Sequence, residues 1–294
     1  MPELPDITVY VESLQRRLVG QSLAEVRLGT PFLLRTVDPP LTELVDKRVV
    51  DVSRSGKRII IELDGELFIV LHLMIAGRLH WKPRSNKPGK KSDLAAFEFP
   101  NGTLTLTEAG TKRRASLHLV RGRAGLSDFD RGGLEVFGAT VDQFADRLRV
   151  ESHTVKRSLT DPRLFSGIGN AYSDEILHRA RMSPVKLTRR LADEEIATLF
   201  DATRAVLVEW TERLRAETGE GFPEKVTAFR PEMAVHGKFG QPCPVCGTPV
   251  QRIRYADNET NYCARCQTDG KLLADRGLSR LLKEDWPRSI DEVV

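Results

Sequence analysis

The sequence predicts an α+β protein in which one N-terminal helix and an antiparallel β-sandwich precede a helical region and a small cysteine-bearing module. Three observations predict this fold class. Apolar residues near the N-terminus have helical spacing, short β-rich runs follow closely one after another, and helical periodicity returns from about Val141. A chain of 294 residues is long enough for two domains, or for one domain with a small appendage.

The first element is an amphipathic helix. Its apolar residues recur at helical spacing between Pro5 and Gly20, and they are Ile7, Val11, Leu14 and Leu18. Proline near a helix start and glycine just past its end are the usual boundary signals.

Short runs rich in apolar and β-branched residues follow this helix. They are Leu23–Leu28, Val49–Val52, Arg58–Leu63, Leu67–Met74, Ala96–Phe99 and Leu104–Thr107. Asn101-Gly102 joins the last two runs and is a strong hairpin signal. Several short strands at close spacing predict a sandwich or barrel rather than a parallel sheet.

The second half of the chain has helical patterns. The predicted helices are Asp142–Leu148, Val155–Leu159, Ala171–Arg179 and Asp193–Arg215. The glycine-containing stretch from Arg121 to Gly138 is interpreted as a linker, and a Gly/Pro-containing segment, 217–231, precedes the cysteines.

Charge gives only partial guidance to function. The formal net charge is +4, whereas Arg78 to Arg123 holds eleven Lys/Arg against three acids. This local excess is explained equally well by a phosphate-facing patch or by a solvated loop. The opening sequence has no signal-peptide pattern, and no run has the length of a membrane helix, so we expect a soluble, cytoplasmic protein without a membrane partner.

All four cysteines lie near the C-terminus as two C-x-x-C pairs, and they are Cys243, Cys246, Cys263 and Cys266. Two such pairs separated by sixteen residues allow four thiolates to converge on one Zn²⁺. The alternatives are two disulfides or free thiols, and a cytoplasmic location disfavours the disulfides. Four protein ligands leave no open position on the metal, so the zinc would be structural.

Three separated segments resemble one family. They are the opening MPELPD, the segment Ser166–Asn170 with the following AYSDE, and the tail Tyr262–Gln267. In this order they resemble the formamidopyrimidine-DNA glycosylase / endonuclease VIII family, closer to its formamidopyrimidine branch. The resemblance implies a helix–two-turn–helix at Lys156–Pro184 and a C-terminal zinc finger.

The resemblance implies base-excision chemistry at the N-terminus. Removal of Met1 would expose the secondary amine of Pro2 as the nucleophile, and an α-amino group with a pKa of about 8 is partly unprotonated at neutral pH. Glu3 resembles the general acid, and Lys57 resembles a lysine that contacts phosphate near the lesion. Asp6 stands where the family commonly has glutamate, and stabilisation of the helix N-terminus also explains it.

The resemblance also implies a monomer bound to double-stranded damaged DNA. The implied DNA-contacting residues are His72, Ile75, Arg113, Arg114, Lys156, Asn170 and Asn258. Phosphate contacts position a duplex without reading its sequence, and the damaged nucleotide would be flipped out of the stack.

The chain departs from the family pattern at the lesion-facing residues. Asn258 stands where the family has a phosphate-gripping arginine, so either Arg252 or Arg254 substitutes or the grip is weakened. Ile75 and the Arg113-Arg114 pair replace the residues that fill the gap left by the flipped base. The segment 217–229 replaces a glycine-rich capping loop, and its phenylalanines serve either as base-stacking groups or as anchors.

The predicted organisation is a catalytic domain at 1–125, a DNA-binding helical domain at 139–230, a zinc-finger module at 235–270 and a tail at 271–294. The predicted function is a bifunctional glycosylase and abasic-site lyase that removes oxidised bases of the formamidopyrimidine or 8-oxoguanine type. The alternatives are a non-catalytic damaged-DNA-binding protein and an enzyme with a divergent lesion preference. The preferred lesion, the opposite base and the number of elimination steps stay open.

Overall fold

The computed structural model describes residues 1–83, 93–109, 112–255, 258–275 and 278–293. The chain forms two compact units, and the division between them falls inside one long helix. The first unit is Met1–Arg131 with Trp210–Thr227, and the second is Gly132–Glu209 with Ala228–Val294. Four residues of the candidate basic patch lie outside the described residues, and they are Arg84, Lys87, Lys90 and Lys91.

The first unit contains the predicted helix and an antiparallel β-sandwich. The helix is α1 (Leu4–Leu18), and the strands are β1 (Glu25–Leu28), β2 (Val49–Ser55), β3 (Arg58–Leu63), β4 (Leu67–His72), β5 (Gly77–Lys82), β6 (Asp93–Phe99), β7 (Gly102–Glu108) and β8 (Ser116–Arg121). They form two four-stranded sheets, in the orders β1-β6-β7-β5 and β2-β3-β4-β8.

One apolar core fills the space between these two sheets and α1. Residues from all three elements belong to it, for example Leu14 of α1, Ile61 of β3 and Phe97 of β6. Alternate residues of β3 and β4 point the other way and form a second, smaller apolar cluster that includes Ile60, Phe68 and Val70 with Phe129. Successive residues of a strand alternate between faces, which explains why both sides of this sheet are partly apolar.

Two strands were absent from the sequence-based expectation. β5 and β8 each carry polar and charged side chains between apolar ones, and each lies at an edge of its sheet. Whether such a segment forms a strand depends more on pairing with a neighbouring strand than on its own composition. The Asn101-Gly102 hairpin between β6 and β7 is confirmed.

The second unit is mainly helical and carries a zinc-finger hairpin. Its helices are α2 (Val141–Arg149), α3 (Val155–Thr160), α4 (Asn170–Arg179), α5 (Asp193–Thr218), α6 (Ala264–Thr268) and α7 (Leu278–Leu282), of which α5 continues into the first unit. The hairpin consists of β9 (Gln251–Tyr255) and β10 (Asn258–Tyr262). Within the described part of the chain, no helix combines the length and apolar composition that crossing a membrane requires.

The C-terminal tail packs against this hairpin. Ile290 is fully buried in a small core with Ile253 and Tyr262. Asp275 Oδ2 accepts a hydrogen bond of 2.7 Å from Arg254 N, on the outer edge of β9. The tail therefore braces a two-stranded sheet that would be only marginally stable alone.

Candidate active site and zinc centre

The N-terminal site is built into the start of α1. Pro2 is buried, and Glu3 and Asp6 form a reciprocal capping box at the helix start. Asp6 Oδ2 accepts a hydrogen bond of 3.0 Å from Glu3 N. Both carboxylates are only 3% exposed, so the capping turn holds Glu3 next to Pro2.

The terminal amine at this site has a lowered pKa. Burial is the main cause, and Arg78 and Lys57 lower the pKa further, while Glu3 and Asp6 oppose them. In this structure the amine belongs to Met1, the residue directly before Pro2. A lowered pKa increases the unprotonated fraction of an amine, which is the form that acts as a nucleophile.

Lys57 lies in the tight turn between β2 and β3. Gly56 precedes it with a φ of 58°, a conformation that glycine adopts without strain. Burial lowers the pKa of Lys57, and the negative charge of Glu3 opposes this shift. Lys57 and Glu3 therefore belong to one electrostatic environment, and the phosphate contact of Lys57 stays a prediction.

His72 is the last residue of β4 and is partly buried. Burial, followed by the positive charges of Arg58 and Lys57, lowers the pKa of His72 to about 4. The imidazole is therefore neutral at pH 7. A neutral imidazole offers a phosphate one N–H donor rather than a positive charge.

Ile75 projects from the turn between β4 and β5 and is 58% exposed. Gly77 N donates a hydrogen bond of 2.9 Å to Leu73 O, which closes this turn. A Cβ on Gly77 would lie 2.3 Å from Leu73 O, so the turn requires glycine here. The tight turn therefore exposes the apolar side chain of Ile75 to solvent. A side chain that inserts into a DNA stack has to be accessible in this way.

Arg113 and Arg114 are both exposed in the segment before β8. Glu108, which is 5% exposed, accepts hydrogen bonds of 2.9 and 3.0 Å from Arg114 N and one of 3.0 Å from Ala115 N. One buried carboxylate thus fixes the backbone that carries the two arginines. This arrangement reduces the conformational entropy that the segment would lose on binding.

Lys156 is buried and forms an ion pair with Asp174. The carboxylate of Asp174 also accepts hydrogen bonds from His236 Nδ1 at 2.8 Å and from Asn261 Nδ2 at 3.4 Å. The network joins α3, α4, the segment before the cysteines and β10. In this structure Lys156 therefore links elements of the second unit, and its predicted phosphate contact stays a prediction.

Asn170 is the first residue of α4, directly after the turn that contains Gly167 with a φ of 79°. Its side-chain Nδ2 donates a hydrogen bond of 3.0 Å to Glu259 O on β10. The helix start is therefore tied to the zinc hairpin. The N–H groups of the first helical turn have no partner within the helix and favour anions.

The four cysteine sulfurs lie within 4.8 Å of one another. Zn–S bonds of about 2.3 Å in a tetrahedron separate sulfurs by less than that distance. The four sulfurs therefore fit one structural zinc ion. Two contacts attach the cluster to α4 and the loop after it: His178 Nε2 lies 3.3 Å from Cys243 Sγ, and Gln267 joins Cys263 N to Met182 O with bonds of 2.9 Å each.

Asn258 is exposed at the start of β10. The register pairs Asn258 with Tyr255, whereas Arg254 pairs with Glu259 and Arg252 with Asn261. Residues paired across two strands share a face, and faces alternate along a strand. Asn258 therefore lies on the opposite face of the hairpin from both arginines, so neither takes its place directly.

The two phenylalanines of the segment 217–229 have different environments. Phe222 packs against the core of the first unit and lies 5.7 Å from the Tyr10 ring centroid, which makes it an anchor. Phe229 is 69% exposed and stacks on His236 with centroids 5.6 Å apart. Only Phe229 therefore has the exposure that stacking on a base requires.

Sequence reasoning missed the buried polar residues that support these sites. They are Glu108, Asp174, Glu175, His178 and His236, all at most 7% exposed. Glu175 accepts hydrogen bonds of 2.8 to 2.9 Å from three consecutive backbone N–H groups at 234–236. Asp174 and Glu175 lie in the AYSDE motif that carries the resemblance, but composition does not separate a buried acid from an exposed one, so the sequence contained no signal for the burial and partners of these residues.

Three family models match consecutive parts of the chain. The formamidopyrimidine-DNA glycosylase N-terminal domain matches residues 1–115, and its H2TH domain matches 136–218. The zinc finger found in FPG and IleRS matches 240–268. Together with the fold and the cysteine cluster, these matches define the class as a zinc-finger DNA glycosylase, and the tail beyond 268 lies outside all three models.

Full-length relatives and solved structures agree with these matches. Formamidopyrimidine-DNA glycosylases of Heliobacterium modesticaldum and Herpetosiphon aurantiacus are 31% and 32% identical over 91% of this chain and 100% of their own. A Lactococcus lactis Fpg bound to abasic-site DNA superposes with a TM-score of 0.80 at 26% identity, covering 90% of this chain and 99% of its own. The chain belongs to the formamidopyrimidine-DNA glycosylase family.

Proposed function

We propose that this chain is a bifunctional DNA glycosylase and abasic-site lyase of base excision repair, with Pro2 as the nucleophile. The observation that carries the proposal is the N-terminal arrangement: Pro2 is buried at the start of α1, Glu3 is fixed beside it by the capping box, and burial lowers the pKa of the Met1 amine directly before it. Relatives named formamidopyrimidine-DNA glycosylase support the same chemistry.

Up to the first elimination, the reaction forms one bond to the enzyme and breaks four in the DNA: C1′ to the base, C1′ to the ring oxygen, C2′ to a proton and C3′ to the phosphate oxygen. The Pro2 nitrogen attacks C1′ of the damaged nucleotide and loses its proton, while the bond from C1′ to the base breaks and the base leaves with a proton from solvent. Glu3 protonates the ring oxygen, so the sugar opens and the nitrogen becomes an iminium ion. The iminium withdraws electrons from C2′, where loss of a proton expels the 3′ phosphate.

The remaining predicted residues hold the DNA in this proposal. Lys57 and His72 bind phosphate beside the lesion, and Asn170 binds phosphate at the start of α4. Ile75 and the Arg113-Arg114 pair occupy the gap left by the flipped base. The zinc ion is structural: bound by the four thiolates, it holds the hairpin that carries Asn258.

The substrate proposed first is an oxidised purine of the formamidopyrimidine or 8-oxoguanine type. Solved complexes of the similar Lactococcus lactis protein include Fapy-dG DNA and oxidised-pyrimidine DNA. The exposed ring of Phe229 is a candidate to stack on the extruded base. A panel of duplexes, each with one defined lesion, tests this choice by comparing kcat/KM between lesions.

Borohydride trapping on abasic-site DNA tests the nucleophile. The protein with Met1 removed, verified by mass spectrometry, is expected to give a covalent adduct. Pro2→Gly should diminish the adduct, and a chain with an added N-terminal residue before Pro2 should give none. Pro5→Ala, which changes the other proline of the same helix start, is the matched control and should retain trapping.

Absence of an adduct with every lesion would overturn the catalytic proposal. Tight lesion-specific binding without strand nicking would instead support a non-catalytic damage-binding protein.

We further propose that the enzyme acts as a cytoplasmic monomer, with residues 1–125, 139–230 and 235–270 as its catalytic, helical and zinc-finger parts. Light scattering of the purified protein, alone and with DNA, checks for one chain per particle.

A further inference from the structure

Three basic side chains occupy neighbouring positions on one face of the β2-β3-β4-β8 sheet. Arg58 lies directly opposite His72 in the β3–β4 pairing. His118 lies opposite Val70 in the β4–β8 pairing, diagonal to His72. Paired residues share a face, and diagonal neighbours are about 7–8 Å apart. Arg58, His72 and His118 therefore converge on one area, which we name the outer basic cluster.

This arrangement is electrostatically unfavourable when nothing is bound. Burial and then Arg58 lower the pKa of both His72 and His118. Burial and then Arg131 lower the pKa of Arg58 itself. With both histidines neutral, the like charges that repel each other here are those of Arg58 and Arg131, so a bound anion would stabilise this face.

Phe129 holds Arg58 and His118 in place. Arg58 Nη1 donates a hydrogen bond of 3.1 Å to Phe129 O, and its guanidinium lies 5.9 Å from the Phe129 ring centroid. His118 packs edge-on against the same ring, with centroids 5.0 Å apart. The bond to Phe129 O uses one of the five N–H donors of Arg58, and the others form a fork that matches a phosphate group.

His118 also carries an imidazole N–H that can act as a donor. Among the described residues, no partner reaches its buried Nδ1. Buried N–H groups without an acceptor are rarer than buried lone pairs without a donor, so we assign the proton to Nε2. A neutral His118 therefore presents one N–H, and Ser116, which lies opposite His72, adds a hydroxyl to the same face.

We propose that Arg58 and His118 extend the His72 position into a phosphate-binding subsite for the backbone of duplex DNA. This inference rests on the proposed function, because a glycosylase must hold the backbone beside the lesion. Lys57 directly precedes Arg58 in the β2–β3 turn, so the two cations can bind neighbouring phosphates of one strand. A continuous backbone fits this arrangement better than a single free phosphate.

The salt dependence of DNA binding tests the subsite. The probe is a short duplex with a tetrahydrofuran abasic analogue, and its dissociation constant is measured by fluorescence anisotropy over a range of KCl concentrations at pH 7.5. Loss of one charged phosphate contact lowers the slope of log K against log salt by about 1. We expect this decrease for Arg58→Gln, with about tenfold weaker binding, and a normal slope for Arg58→Lys.

His118→Phe keeps a ring against Phe129 but removes the N–H donor. Because His118 is neutral at this pH, we expect weaker binding with an unchanged slope. The matched control is Arg123→Gln, an arginine that follows β8, lies over the Phe68 ring and is already paired with Glu62 at 2.5 Å. Its affinity and slope should equal those of the wild-type protein.

The outcomes separate this subsite from the proposed function. A steep wild-type slope that Arg58→Gln does not change would overturn the subsite and leave the glycosylase intact. A flat slope for the wild-type protein would overturn DNA binding itself. Competition by inorganic phosphate at constant ionic strength distinguishes the sources of the anion: displacement of the duplex at millimolar phosphate would indicate a free-phosphate site and overturn the backbone assignment.

Discussion

His178 Nε2 lies 3.3 Å from Cys243 Sγ, and this contact joins the helix that begins at Asn170 to the cysteine cluster. Both residues are buried, with 7% and 2% of their surfaces exposed. An N–H that donates to a zinc-bound thiolate stabilises the charge of the sulfur. The zinc site and the helix start that is proposed to bind phosphate are therefore coupled through α4.

Replacing His178 is expected to weaken zinc binding. Loss of such a supporting hydrogen bond typically lowers metal affinity about 10- to 100-fold. We expect that range for His178→Leu, measured by competition with a chromogenic chelator. His178→Gln keeps a side-chain donor and should recover part of the affinity. Substitution with Co²⁺ gives a second measurement, because the sulfur-to-metal absorption band should shift in His178→Leu. An unchanged band and affinity would show that His178 only fills space.

Glu3 and Asp6 share one capping box, yet their substitutions should have different effects. Glu3→Gln keeps an oxygen for the capping bond but removes the acid, so activity should fall about 10²- to 10⁴-fold with little change in melting temperature. Asp6→Ala removes a capping acceptor and should decrease the free energy of unfolding by about 1 kcal/mol. Single-turnover base release and thermal melts measure the two effects. Equal losses of activity in both variants would contradict these separate roles.

Asn258→Arg is expected to strengthen DNA binding. The side chain lies on the face of the hairpin opposite Arg252 and Arg254, so a new guanidinium there adds a charge that neither arginine supplies. The slope of log K against log salt should become steeper by about 1. Asn258→Gln, which adds length without charge, is the control. The share of product that has undergone two eliminations should rise if this arginine grips the lesion-site phosphate.

The tail should contribute to the stability of the zinc hairpin. Ile290 is fully buried against it, whereas Leu281 of the same tail is 77% exposed. Ile290→Ala should destabilise the hairpin by about 2–4 kcal/mol, and Leu281→Ala should have little effect. Hydrogen exchange of the β9 and β10 amides measures this difference. Equal protection in both variants would show that the tail does not brace the hairpin.

Stability should fall as the pH is lowered from about 7 to 4, partly because of His72. Its pKa is about 4 in the folded chain and 6.5 as a model value, so in this range the unfolded chain binds a proton that the folded chain excludes. The contribution of neutral His72 to the free energy of unfolding is fully present above pH 6.5. It decreases by at most about 3 kcal/mol as the pH falls to about 4. In urea unfolding at pH 7.5 and 5.0, His72→Leu should lose less stability on acidification than the wild-type protein. An identical loss would contradict the assigned pKa.

The sequence by itself determined the elements whose signals are local. Helical spacing predicted α1 and the four helices α2 to α5, Asn101-Gly102 predicted the β6–β7 hairpin, and cysteine spacing predicted the metal site. Each of these features depends on residues close together in the chain or on the chemistry of one residue type. The N-terminal proline and its neighbouring acid were also visible in the sequence, because the proposed nucleophile is defined by its position.

Only the tertiary structure decided which polar residues are buried and what they contact. The partners of Asp174 lie 18, 62 and 87 positions away, and Glu108 became a support only because the chain returns beside it. The outer basic cluster likewise depends on the register that places Arg58 opposite His72 and brings β8 alongside. Strand register and burial result from packing of the whole core, which no short segment encodes.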